Sequence, residues 1–146
     1  MSLQTLEDAL EIFEDISDRN ERSEMLLYYA DQYKEIPKEI ASKPYSDDYK
    51  VPYCESQAYV WGTNPKDDIL QFYFAIENPQ GISAKALASL LTKYVSGKPA
   101  SEIALISPDI VFKIFGENLG MVRAEGLRGM VKMVRAYALR YLRAKE

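Results

Sequence analysis

The sequence predicts an α+β fold, a small antiparallel sheet of about three strands covered by helices. Two observations predict it. The apolar period is helical at both ends of the chain and switches to alternation once, near its middle. The strand-like runs therefore sit together and the helical ones flank them, the segregation that layers helices against one face of an antiparallel sheet. At 146 residues and 47 % apolar, the chain fits one compact domain over residues 1–146.

Thr5 is placed to cap a first helix, with Asp8 three residues on and Leu6, Ala9, Leu10 and Phe13 at helical spacing. Ser17 or Asp18 caps a second, running to about Tyr33 with Met25, Leu26, Tyr29 and Tyr33 inward. Pro37 and Pro44 bracket an irregular stretch, and Ser46–Lys50 is turn-like. Pro52 belongs at a strand end, because it has no N–H for a ladder. From Ser56 to Trp61, Gln57, Tyr59 and Trp61 alternate with Ser56, Ala58 and Val60. Thr63–Asp68 reads as a hairpin turn, and Ile69–Ile76 as a second strand paired antiparallel with the first.

Helical spacing returns after Gly81. Ser83 is expected to cap a helix with Leu87, Leu90, Leu91 and Tyr94 inward, ended by Gly97. Pro99–Ile103 starts a short helix, and Ser107 followed by Pro108 opens another. Gly116 and Gly120 frame a loop. A long helix from about Val122 turns Leu127, Met130, Val131, Val134, Ala138 and Leu142 inward, with Arg128, Lys132 and Arg135 on its wet side.

Composition excludes several chemistries. There is no histidine and one cysteine, Cys54, so neither a Ser-His-Asp nor a Cys-His arrangement exists in the chain. A zinc site or a private iron–sulfur cluster lacks ligands, and the acidic pairs Asp47-Asp48 and Asp67-Asp68 lie in turns without convergent partners. No metal and no cofactor is therefore expected. One cysteine makes no internal disulfide, no run is long enough to span a membrane, and Met1–Gln4 does not open a signal peptide; a cytoplasmic protein is expected.

Residues 1–73 hold 7 basic and 16 acidic residues, and residues 74–146 hold 11 and 6. With a net charge of −4, this split favours charge-complementary helices over a nucleic-acid surface. Tyr59, Trp61, Phe72 and Phe74 have no basic residues interleaved, so core packing outweighs a base-stacking platform.

The residues around Cys54 carry a resemblance. Val51-Pro-Tyr-Cys-Glu-Ser-Gln-Ala-Tyr-Val resembles the signature of the SufE family of sulfur acceptors: valine or isoleucine, glycine-cysteine, a serine two residues on, then a small apolar residue and an aromatic. Cys54 takes the acceptor cysteine's place, Ser56 the serine's and Tyr59 the aromatic's. Ala84–Leu91 resembles the family's lysine-glycine-leucine helix. Tyr94–Ile103 is similar to its aromatic-glycine-proline bridge, with one residue shifted. Arg123-Ala-Glu125-Gly126-Leu127 resembles the start of its last helix. Together these pieces span about residues 8–142 in the family's order.

The resemblance implies a SufE/IscU-like fold and a carrier rather than a free-standing enzyme. Cys54 would take persulfide sulfur from a SufS-like, pyridoxal-phosphate cysteine desulfurase, stimulate it, and deliver sulfur to a downstream iron–sulfur cluster scaffold. The acceptor loop would shelter the thiol until the partner draws it out. Arg123 becomes a candidate electrostatic helper for the thiolate, alongside Lys85 and backbone N–H groups, whereas Glu55 acts against it. Tyr53, Glu55, Ser56 and Lys85 become candidate partner contacts. An IscU-type scaffold is disfavoured, because such scaffolds use three cysteines.

Three positions depart from the pattern. Ala86 replaces a glycine, Glu125 replaces an asparagine, and Tyr53 replaces the glycine before the cysteine. The last is expected to cost the loop its access to positive φ. It leaves a second reading open: an interaction module of the same fold that has drifted from sulfur transfer.

Overall fold

The structure, a computed structural model, describes residues 5–146; Met1–Gln4, and with them the expectation about a signal peptide, lie outside the described residues. Helix α1 (Leu6–Asp15) starts where Thr5 Oγ1 accepts the Asp8 N–H at 3.1 Å. Helix α2 (Arg19–Asp31) is capped by Asp18, whose Oδ1 accepts from the Asn20 N–H at 3.0 Å. It stops short of Tyr33, whose side chain is drawn instead to the sheet: its hydroxyl accepts the Ile76 N–H at 2.9 Å.

Strands β1 (Ala58–Lys66) and β2 (Ile69–Ile76) pair antiparallel, Val60 opposite Phe74. β1 begins two residues later than expected, because Gln57 sits at φ +52° and turns the chain. It also runs further, into the stretch read as a turn. There the register shifts between Thr63 and Lys66, and the Asn64 side-chain amide donates to the Lys66 and Ile69 carbonyls at 2.6 and 2.8 Å. The turn itself shrinks to Asp67-Asp68.

The third strand, β3 (Lys98–Pro99), pairs only with Ile69 and Leu70, giving the order β1-β2-β3. Two residues carry too little alternation to be seen in sequence.

Helix α3 (Ile82–Tyr94) buries nearly every face, as expected of a helix placed centrally: Ala84, Ala86, Leu87, Ala88, Leu90 and Leu91 are all buried. Its N-cap is Gly81 rather than Ser83, whose hydroxyl is engaged elsewhere. After α4 (Ala100–Ile103), helix α5 (Ile110–Phe115) starts from Asp109, not Ser107. Ser107 Oγ accepts the Asp109 N–H in the turn before it.

Helix α6 (Met121–Ala144) buries Leu127, Met130, Val131, Val134 and Ala138 as its spacing predicts, with Leu142 packed at the margin. Its C-terminal end is tied to the hairpin tip. Asp68 Oδ1 takes Lys145 Nζ at 2.6 Å and the Tyr141 hydroxyl at 3.2 Å, contacts that hold its carboxyl below the usual range.

Leu70, Phe72, Phe74 and Ile76 face the helices, in one core with Phe13, Leu87 and Met130. The opposite sheet face is also covered, by the irregular segment after α2. Ile36 and Tyr45 close over Tyr59, Trp61 and Ala75, and Tyr49 stacks on Trp61 at 5.2 Å between centroids. Tyr59 and Trp61 thus lie on one sheet face and Phe72 and Phe74 on the other, each buried, and no aromatic platform forms.

One side chain joins three helices. The Arg22 guanidinium, on α2, donates to the Phe13 and Ile16 carbonyls at the end of α1, both at 2.9 Å. It also donates to the Lys113 and Ile114 carbonyls of α5, at 3.1 and 2.8 Å. All four carbonyls lie at helix ends, where intrahelical donors run out, although that of Phe13 also takes the Ile16 N–H, and a cation there complements the helix dipole. Arg22→Ala should lower unfolding free energy by about 2–3 kcal/mol in urea titration, in the range of charged hydrogen bonds lost from partly buried acceptors. Arg22→Lys should recover less than half, since an ammonium cannot reach both pairs of carbonyls at once.

Candidate functional site

The Cys54 loop is folded back on itself. The Val51 N–H donates to the Ala58 carbonyl at 2.8 Å and closes its neck; the Gln57 N–H donates to the Cys54 carbonyl at 3.1 Å. The Asn78 N–H, from the segment leading to α3, donates to the Ser56 carbonyl at 3.2 Å. Pro52-Tyr53 makes the first bend, proline followed by a residue at positive φ, the pattern of a type II turn.

That residue is Tyr53, at φ +60°. The expectation that a tyrosine would deny the loop this conformation is therefore wrong: the loop keeps it, at a cost of roughly 1–2 kcal/mol for a residue with a Cβ. Neck hydrogen bonds and packing on α6 outweigh that cost.

Glycines make the packing possible. A Cβ on Gly126 of α6 would lie 2.9 Å from Cys54 Cα and 3.0 Å from the Tyr53 carbonyl oxygen; one on Gly129 would lie 3.0 Å from Val51 Cγ1. On the other side, a Cβ on Gly81 would meet Ser56 Oγ at 2.8 Å. The loop backbone is thus seated between α6 and the start of α3.

Cys54 is a free, half-buried thiol at the boundary of two hollows. The inner cavity, about 250 Å³, is also lined by Ser56, Ser83 and Arg123. A more open outer hollow lies against Pro52, Tyr53 and Val122. Two exposed apolar side chains stand on its rim, Tyr53 at 79 % and Val122 at 62 % accessible, beside the charged Lys50 and Glu55.

Of the residues singled out in the sequence, Tyr53, Cys54, Glu55, Ser56 and Arg123 converge on this cavity. Arg123 is positioned by a hydrogen bond from its Nη2 to Ser83 Oγ. Lys85 is not among the lining residues. It faces away, its Nζ donating to the Pro79 carbonyl at 3.1 Å and lying 5.8 Å from the Tyr33 ring. Arg128, on the wet side of α6, pairs with Asp109 at 3.0 Å and ties α6 to α5.

Sequence reasoning missed Ser83 as the partner of Arg123, and Gly81 and Gly129 as the loop's seat. One signal was available: glycine at 126 and again at 129 inside a helix costs about 1 kcal/mol each against alanine, which calls for a close approach.

The fold and the site define a class: an α+β protein presenting one sheltered thiol beside an arginine, on a loop between two helices. The chain belongs to the SufE family; the family described as "Fe-S metabolism associated domain" matches residues 7–138. An uncharacterized SufE-like protein of Rhizobium etli is 32 % identical over 116 residues, 76 % of each chain. SufE-like protein 1, chloroplastic/mitochondrial, of Arabidopsis thaliana is 26 % identical over 135 residues, covering 92 % of this chain and 34 % of that longer protein. The solution structure of a hypothetical protein from Thermus thermophilus shares the fold, with a TM-score of 0.71, 22 % identity and 94 % and 95 % of the two chains aligned.

Gly126→Ala places a methyl against backbone atoms that cannot swing aside. It should lift the Cys54 loop while leaving α6 intact. Alkylation of Cys54 by iodoacetamide should accelerate by about tenfold or more, as expected when a protecting local structure opens, with circular dichroism unchanged. An unaltered rate would mean that the helix does not hold the loop.

Proposed function

We propose that this protein is a sulfur carrier of iron–sulfur metabolism, taking sulfane sulfur onto Cys54 from a cysteine desulfurase and passing it to a cluster-assembly scaffold. The observation that carries this reading is the solitary thiol seated in a cavity with Arg123 and rimmed by exposed Tyr53 and Val122. Family membership supports the iron–sulfur context.

The step is thiol exchange. The Cys54 thiolate attacks the outer sulfur of the donor's cysteine persulfide, the donor's S–S bond breaks, and the donor cysteine leaves as thiolate. Cys54 then carries the S–SH group, with no net oxidation or reduction. The pyridoxal phosphate that generates the donor persulfide belongs to the desulfurase.

This chain's residues have three tasks in the step. The Arg123 guanidinium supplies positive charge in a cavity shared with the sulfur, offsetting Glu55. Exposed Tyr53 and Val122 on the rim provide apolar area for a partner to cover, excluding water from the exchange. The chain has no second cysteine whose thiolate could attack the persulfide and divert its sulfur. Tyr53, the residue that leaves a drifted module open as a second reading, keeps the loop's backbone geometry and adds an exposed aromatic ring, which favours the carrier.

Incubation with a cysteine desulfurase, pyridoxal phosphate and cysteine should add about one sulfur atom to the intact mass, reversed by dithiothreitol and absent in Cys54→Ser. No added mass, while Cys54 still reacts with iodoacetamide, would overturn the carrier reading.

A further inference from the structure

A second hollow, of about 510 Å³, lies at the other end of α3 and shares no residue with the Cys54 cavity. It follows the open edge of β2. Because β3 pairs only with Ile69 and Leu70, the edge beyond them has no neighbouring strand. Alternation fixes which groups point there. The Glu77 N–H bonds the Gln57 carbonyl on the β1 side, so the odd residues of β2 serve β1 and the even ones face outward.

Three of those outward groups are taken by side chains. The Phe72 N–H donates to Ser96 Oγ at 2.9 Å; the Ile76 N–H donates to the Tyr33 hydroxyl, which in turn donates to the Phe74 carbonyl at 3.4 Å. Between them, the Phe74 N–H and the Phe72 carbonyl have no partner among the described residues. They form a donor–acceptor pair that a neighbouring strand would engage, through one residue if it runs parallel to β2 and through two if antiparallel.

Two further observations say what that strand carries. Ser89, 8 % exposed, lines the same hollow, and its hydroxyl is the one buried side-chain polar atom without a partner among the described residues. A buried hydroxyl left unpaired costs about 1–3 kcal/mol, which a ligand's polar group would offset. Lys34 and Lys93 also line the hollow, against Glu35 alone.

We infer that the β2 edge between Tyr33 and Ser96 is a docking groove for an extended, acidic peptide segment of a partner protein, added as a short fourth strand. Backbone pairing with Phe74 and Phe72 supplies affinity, and alternate side chains supply selectivity. The residue opposite Tyr73 points to the outer sheet face. Its two neighbours point toward α3, where a small hydroxyl meets Ser89 and a carboxylate meets Lys93. Because the Cys54 cavity lies at the opposite end of α3, about 15 Å along the helix axis, a segment held here leaves the thiol free to exchange sulfur. The groove does not depend on the sulfur-carrier reading.

The test uses the full chain, ¹⁵N-labelled, with the capped peptide acetyl-Val-Ser-Val-Asp-Val-amide as probe. In the free protein, the Phe74 amide should exchange with solvent about tenfold or more faster than those of Phe72 and Ile76, because it alone lacks an acceptor. Peptide up to about 5 mM, enough to reveal a millimolar Kd, should shift the Phe74 and Ser89 amide resonances and slow Phe74 exchange. The same peptide N-methylated at its third and fourth residues loses the strand donor in either direction and should do neither. Phe74 protection equal to its neighbours in the free protein, no shifts, or equal shifts with both peptides would each overturn the groove.

Discussion

The close approach of the Cys54 loop to helix α6 is the contact on which the site depends. Without a side chain at position 126, the backbone of Tyr53 and Cys54 rests directly on the helix, and nothing flexible stands between them to be adjusted. Every other feature of the site follows from that seat. It turns Tyr53 outward, sets the Cys54 sulfur between two hollows, and places it in one cavity with Arg123, which leaves the same helix one turn earlier. Tolerance of a tyrosine at φ +60° is a measure of how firmly the loop is held.

The scaffold behind the loop is built to stay still. The sheet is covered on both faces, by helices on one and by the Ile36–Tyr49 aromatic cover on the other. α3 is buried on almost all sides and carries Ser83 at its start. The Arg22 guanidinium locks the ends of α1 and α5 to α2. Backbone hydrogen bonds to the rest of the chain hold the Cys54 loop at its two ends, Val51 N–H to the Ala58 carbonyl and Asn78 N–H to the Ser56 carbonyl. The proposed sulfur-carrier role asks for such a frame, because the thiol must be sheltered when alone and yet reach a partner's sulfur.

Much of this is legible in sequence, for identifiable reasons. Helices α1, α3 and α6 declare themselves through sustained 3.6-residue spacing. β2 does so through its aromatic and β-branched run, which matches the observed ends. Cys54 stands out because there is no other cysteine and no histidine. What is not legible depends on contacts between distant segments. β3 is two residues long and exists only because β2 lies beside it. Local chemistry permits Ser83 to cap a helix, but its real partner is 40 residues away. The Lys85 side chain is turned from the cavity by Pro79 and Tyr33, which no spacing rule reveals. The local preference of Tyr53 misleads because the neck and helix contacts that override it are invisible in the sequence.

Contact between Cys54 and Gly126 is the root of the site, and proton–proton proximity tests it most directly. A nuclear Overhauser experiment on the reduced protein should show a strong cross-peak between the Cys54 and Gly126 α-protons, since a Cβ at Gly126 would lie only 2.9 Å from Cys54 Cα. It should persist in Cys54→Ser, because the contact is made by backbone. A missing cross-peak, with the 53–56 amides exchanging as freely as those of an exposed loop, would mean the opposite: the thiol hangs in solvent, and neither helix positions it.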